Sequence, residues 1–255
     1  SHSWSDLIAA KDKETARLEG VYRTLLKNAG ADLIEGWGHL KGPHEVEVGD
    51  TIYTAKRILI AVGGQPSTPD VPGLAEYAIT SNEALDLHKR PDHIVIYGSG
   101  YIALEFAGIF RAFGSKVDLI YRADLPLRGF DMDVREHIAE ALRDRGINLI
   151  SGRTIAEVKK TAEGHVVTLD DGSVLSPDEV MAATGRAPNI NGLGLEAAAI
   201  ETNARGAIKV DEWSQTSATS VFAVGDVTDR INLTPVAIAE GHAFADTIYG
   251  DMPRA

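Results

Sequence analysis

The chain has 255 residues, 44% of them hydrophobic and 24% charged, with no cysteine and a formal net charge of −12 at pH 7. That length holds one large domain or two small ones, at about 100–200 residues each, and can bury a core without disulfide or metal staples. The absence of thiols excludes disulfides, zinc-thiolate sites and a cysteine nucleophile from this sequence, and the excess of 37 Asp+Glu over 25 Lys+Arg, with no dense basic run, argues against a nucleic-acid partner.

Leu18, Val21, Tyr22, Leu25 and Leu26 form one apolar stripe at helical spacing, and Asn28-Ala29-Gly30 is a stop signal. The period then changes: residues 45–48 and 51–54 alternate around a Gly49-Asp50 turn, and residues 57–62 (RILIAV) are a continuous apolar run suited to a buried strand. Residues 63–73 (GGQPSTPDVPG) read as a stiff, extended connector and a domain boundary. Beyond it, strands at 93–97, 116–121 and 147–150 alternate with helices at 100–113 and 134–145. This βαβαβ order predicts a parallel sheet in an α/β fold. Alternating runs follow near 155–159 and 165–169, with a turn at Asp171-Gly172, then buried strands at 180–183 and 221–224 and a last helix from Pro235. No apolar stretch reaches the ~20 residues of a membrane span, and the N-terminus lacks a signal-peptide pattern. A soluble, cytoplasmic protein with no membrane partner is expected.

Gly98-Ser99-Gly100-Tyr101-Ile102-Ala103 follows a predicted strand and opens a predicted helix, the context in which a glycine-rich turn binds a dinucleotide. Gly98 makes the tight turn, Gly100 lets backbone approach a pyrophosphate, and Ala103 permits close helix–strand packing. The end of the second strand selects the dinucleotide. An acid there reads the ribose of NAD, whereas this chain has Tyr121-Arg122 and then Arg128, a pair suited to the 2′-phosphate of NADP; the alternative is two solvated surface charges. Tyr101 and Glu105 share a helix face, as a nicotinamide pocket or simply as a part-buried tyrosine and an exposed acid.

These residues belong to a longer ordered set: Ala61-Val62-Gly63-Gly64-Gln65-Pro66 with Pro69, Pro72 and Gly73; the glycine-rich turn through Glu105; Arg122 and Arg128; Ala183-Thr184-Gly185-Arg186 with Pro188-Asn189; Val224-Gly225-Asp226; and Leu233-Thr234-Pro235-Val236-Ala237. In this order they resemble the two-dinucleotide flavoprotein disulfide reductases, above all the members that reduce glutathione disulfide. The resemblance implies a Rossmann-like NADP-binding domain (66–189) inserted between two partial segments (1–65 and 190–255) of an FAD-binding domain of the same general type. It implies that Tyr101 gates the nicotinamide and Glu105 accepts its carboxamide, and that Arg122 and Arg128 hold the 2′-phosphate of NADP(H). Gly185 lies at the second crossing, close to cofactor. Asp226 accepts from the ribityl chain of FAD, with Leu233 and Thr234 beside the flavin and nicotinamide. Tyr22 contacts glutathione disulfide, although it also fits simple stripe packing. His242 departs from some glutathione-reducing relatives, which carry an arginine there.

The same resemblance implies redox cysteines and a His–Glu couple, and neither motif occurs here. The chain is therefore expected to be the middle of a larger, homodimeric enzyme, with an incomplete FAD site, no catalytic residue of its own, no metal, and no disulfide-reducing activity alone. Two other readings stay open: a related flavin-dependent NAD(P)H oxidoreductase with another acceptor, and a noncatalytic NADP-binding module.

Overall fold

The computed structural model describes residues 3–254, so Ser1, His2 and Ala255, at the outer ends of the two expected FAD segments, lie outside the described residues. In chain order the elements are α1 (Trp4–Asn28), β1 (Gly38–Gly42), β2 (Glu45–Val48), β3 (Thr51–Thr54), β4 (Ile58–Ile60), β5 (Gly64–Pro66), α2 (Leu74–Tyr77), α3 (Ser81–Ala84), β6 (His93–Tyr97), α4 (Tyr101–Ala112), β7 (Lys116–Tyr121), α5 (Met132–Asp144), β8 (Asn148–Ser151), β9 (Ile155–Thr161), β10 (Gly164–Leu169), β11 (Val174–Leu175), β12 (Glu179–Ala182), β13 (Arg186–Pro188), β14 (Val221–Ala223) and α6 (Thr234–Tyr249). No helix among the described residues is long and apolar enough to cross a membrane. The chain divides into two compact units, Ser1–Ala31 with Pro66–Gly185, and Asp32–Gln65 with Arg186–Ala255.

The first unit is built on a four-stranded parallel sheet in the order β12-β6-β7-β8, with α4 and α5 as crossovers. This is the predicted α/β arrangement. Both faces of the sheet are covered, which is why β6 (HIVIY) is apolar without alternation. Ile94, Ile96 and Leu119 pack with Phe106 and Phe110 of α4 and Leu142 of α5. On the other face, Val95, Tyr97 and Ile120 meet Ile155, Val158 and Val167 of the antiparallel sheet β11-β10-β9.

Helix α1 also belongs to this unit, which differs from the expected grouping of residues 1–65. Its attachment is at one end. Trp4 stacks on Phe110 with ring centroids 5.4 Å apart, meets Phe113 edge-on at 5.5 Å, and donates from Nε1 to Leu87 O at 2.6 Å. The stripe of Leu18, Val21, Tyr22, Leu25 and Leu26 is helical as predicted, but it is 40–65% exposed rather than buried. Periodicity reports the helix and the sidedness of its apolar groups, not whether that side is covered.

The second unit combines the antiparallel meander β1-β2-β3 with a parallel pair, β4 and β14. Leu40, Ile60, Val221, Ala223 and Val227 form its core. The segment after residue 62 is extended where it begins, since Gly64–Pro66 pairs as a strand with Arg186–Pro188.

Candidate functional site: a dinucleotide cradle

In the parallel sheet, the chain leaves β6 towards β7 on one side and returns as β12 on the other. Strand order reverses between β6 and β12, and such a switch point opens a crevice at the carboxyl ends of the strands. The Gly98-Ser99-Gly100 turn stands there, directly after β6. Gly98 has φ +140°, and a Cβ on it would lie 2.2 Å from Ala183 O, in the backbone that follows β12. Gly98 is thus needed for a close approach as well as a turn. Gly100, the N-cap of α4, has an ordinary φ of −78° and nothing within 4 Å of a Cβ position. The space before the helix is open.

Helix α4 has no side-chain cap and no acid in its first turn. Its first intrahelical bond from a main-chain N–H is Leu104 N to Gly100 O at 3.2 Å, so the N–H groups of Tyr101, Ile102 and Ala103 face forward at the positive end of the helix dipole. Those N–H groups and the open approach at Gly100 fit a pyrophosphate. Ala103 is fully buried against the sheet, as expected, and Ile102 packs partly into the same core, so its contribution to the turn is its backbone. Tyr101 is 53% exposed and Glu105 is exposed one turn on.

Arg122 and Arg128 are both exposed, on the loop between β7 and α5. Tyr121, immediately before Arg122, turns the other way into the core. Its Oη has no hydrogen-bond partner among the described residues, and burial pushes the phenol up from its ordinary value. No acid occupies this strand end. The loop is tied to the turn by Leu127 N–H, which donates to Ser99 O at 2.8 Å. Leu127 is buried with φ +53°, an uncommon conformation for a branched residue. The structure thus joins Gly98, Gly100, Tyr101, Ile102, Ala103, Glu105 and the loop of Arg122 and Arg128 in one cradle. Gly185 is held in the same unit, accepting from Ser67 N–H at 3.0 Å. Tyr22 sits on the exposed stripe of α1, 65% exposed and outside these contacts.

In the second unit, Gly225 and Asp226 open a 3-10 turn after β14. Gly225 has φ +73°, and its N–H donates to Glu240 Oε2 at 2.7 Å, while Glu240 pairs with Arg230 at 3.0 Å. A Cβ on Gly64 would sit 3.4 Å from Asp226 Cβ. Asp226 is half-buried beside a glycine, which fits a backbone or hydroxyl ligand brought close to it. Leu233 and Thr234 are exposed at the uncapped start of α6. Glu240, Ser99 O and Arg135, which donates to Leu125 O and Pro126 O, do not stand out in the sequence as site residues. Only Arg135 carried a signal, a cation in the first turn of a helix.

A family profile described as pyridine nucleotide-disulphide oxidoreductase matches residues 2–241. A glutathione reductase of Burkholderia cepacia is 50% identical over 250 residues, covering 98% of this chain and 56% of the relative. A glutathione reductase of Nostoc sp. is 46% identical over 264 residues, covering 99% of this chain and 57% of the relative. Among solved structures, the HOCl-induced flavoprotein disulfide reductase RclA from Escherichia coli superposes with a TM-score of 0.94 at 29% identity, over all of this chain and 59% of that one. The chain therefore spans just over half the length of these relatives. Pyridine nucleotide-disulphide oxidoreductases are flavoproteins that use NAD(P)H. With a glycine-rich turn at a sheet switch point, a second unit around Gly225-Asp226, and a profile match over nearly its whole length, the chain belongs to the pyridine nucleotide-disulphide oxidoreductase family.

Proposed function

We propose that this chain provides the NADPH-binding part, and pieces of the FAD-binding part, of a disulfide reductase whose substrate is glutathione disulfide. Residues 66–189 act as the NADP domain, and the segments before 66 and after 189 contribute to the FAD domain, with α1 packed on the first unit through Trp4. The observation that carries the reading is the cradle itself: an open, uncapped α4 N-terminus tied through Ser99 O to the loop of two exposed arginines. The forward N–H groups of α4 hold the pyrophosphate, and Arg122 and Arg128 grip the 2′-phosphate with charge-assisted bonds. Tyr101 covers the nicotinamide and Glu105 accepts its carboxamide. Asp226 accepts from the ribityl chain of FAD, with Leu233 and Thr234 beside the ring. FAD, when bound, supplies the step that takes a hydride from NADPH and hands electrons on towards a dithiol.

Glutathione disulfide is proposed because the similar curated proteins are glutathione reductases. Tyr22 is its proposed contact, and the full-length enzyme is proposed to work as a homodimer in the cytoplasm. Thermal shifts of the chain with NADPH and NADH test the cofactor reading. At a ligand concentration of about 100 Kd the stabilisation is about 2.7 kcal/mol, worth roughly 5–10 °C for a chain of this size. NADPH is expected to give that shift at concentrations where NADH gives little, and Arg122→Gln or Arg128→Gln to remove the difference. Equal shifts for the two nucleotides contradict the 2′-phosphate site.

A further inference from the structure

The loop that carries Arg122 and Arg128 contains no regular secondary structure, yet its arginines must be presented at a defined place to distinguish a phosphate from a hydroxyl. Its beginning is anchored to neighbouring backbone: Arg153 N–H donates to Tyr121 O at 3.2 Å and Gly152 N–H to Ala123 O at 3.3 Å. Its middle is anchored by one side chain. Arg135, half-buried in the first turn of α5, donates from Nη2 to Leu125 O at 2.9 Å and from Nε to Pro126 O at 2.8 Å.

Helix physics does not explain an arginine there. A cation in the first turn opposes the helix dipole, and Asp133 is the first-turn acid that complements it. The fork of a guanidinium, in contrast, can meet two successive carbonyl oxygens at once.

The second of those carbonyls matters most. Pro126 C=O and Leu127 N–H belong to the same peptide group, and that group is trans. A trans peptide points its oxygen and its hydrogen in opposite directions. Here the oxygen accepts from Arg135 Nε and the hydrogen goes to Ser99 O, inside the glycine-rich turn. One peptide plane is therefore held from both sides, and Arg128 is attached to the very next residue. Leu127 is buried with φ +53°, so the plane's orientation also sets the direction in which the chain leaves towards Arg128.

We infer that Arg135 is a positioning residue for nucleotide selection: it fixes the 126–127 peptide against the phosphate turn and so places Arg128 for the 2′-phosphate. Arg135 itself acts through the backbone and not by touching nucleotide. The inference rests on the reading of Arg122 and Arg128 as a 2′-phosphate site, and it adds the group on which their placement depends.

The test is a titration of the chain with NADPH and with NADH, comparing wild type, Arg128→Gln, Arg135→Gln and Arg135→Lys. The lysine variant keeps the charge and gives up the fork. Both Arg135 variants are expected to weaken NADPH about tenfold, the scale of losing hydrogen bonds from a charged donor, and to leave NADH within about twofold. Amide exchange at Leu127 is expected to quicken by a similar factor while exchange in β6 and β7 stays unchanged. That second readout serves on Arg135→Lys alone if the glutamine variant does not fold.

A wild-type chain that does not prefer NADPH removes the 2′-phosphate reading and the inference with it. A preference lost in Arg128→Gln but kept in both Arg135 variants leaves the reading standing and overturns the inference. Equal weakening of both nucleotides marks Arg135 as a merely structural residue. Full retention in Arg135→Lys marks the effect as charge rather than placement. Either of those results also overturns it.

Discussion

Gly98 and Gly100 stand two positions apart in one turn, yet they are glycine for different reasons. At Gly98 a methyl group would be driven into Ala183 backbone, and φ is +140°. Gly98→Ala is expected to destabilise the apo protein by about 2–4 kcal/mol, as incompatible backbone substitutions do. At Gly100 the methyl group meets nothing. Gly100→Ala is expected to cost the apo fold less than about 1 kcal/mol, the difference between the two residues at an N-cap, while weakening NADPH binding because it fills the approach to the helix N–H groups. Chemical denaturation and a nucleotide titration separate the two effects. An apo stability equally lowered by both changes contradicts this division. The glycine spacing and its strand–helix setting were visible in the sequence. The partner that makes Gly98 obligatory was not, because Ala183 is remote in sequence and reaches the turn only when β12 joins the sheet. Arg135 illustrates the same boundary: its residue type was readable, but its acceptors are main-chain oxygens whose direction no side-chain pattern encodes.

The long, strongly patterned elements β6, α4, β7 and α5 are where the periodicity placed them. The elements that periodicity did not reveal are short: α2, α3, β1, β5 and β13. At three to five residues, with no tight-turn signal such as Gly49-Asp50 beside them, they show too little of a repeat to be recognised, so their structure depends on local caps or on remote pairing. Helix α3 depends on a cap. Thr80 N–H and Oγ1 both donate to Glu83 Oε2, at 2.7 and 2.6 Å, and Thr80 Oγ1 accepts from Asn82 N–H at 3.2 Å. The bonds from Thr80 hold the Glu83 carboxyl below its ordinary value of 4.5. A carboxylate with a lowered folded pKa contributes stability that is present above its unfolded pKa and lost as pH falls through the folded one. The stability advantage of wild type over Glu83→Gln is therefore expected to be constant above pH 4.5 and to vanish on further acidification. Solvent screening keeps it below about 1 kcal/mol. An advantage that persists in strong acid would assign the effect of Glu83 to packing instead.

At the scale of the whole molecule, the two units carry different parts of the proposed chemistry, and nucleotide should distinguish them. Saturating NADPH is expected to slow amide exchange at residues 98–105 and 122–130 and to leave the meander β1-β2-β3 unchanged. Protection centred on residues 45–54 would place the nucleotide elsewhere. The order of motifs along the chain implied an insertion, but not that α1 groups with residues 66–185. That attachment depends on Trp4 meeting Phe110 and Phe113, aromatic contacts without a local signature. The insertion has a kinetic consequence. Strand β4 pairs with β14, roughly 160 positions later, so the second unit cannot form until a very long loop has closed, and the entropy of closure grows with loop length. Residues 67 and 185 end up hydrogen-bonded to one another. Once the parallel sheet between them has folded, that loop shrinks to a short tether. Folding of the first unit thus shortens the chain that separates the two segments of the second, and a defect in the first delays the assembly of the second.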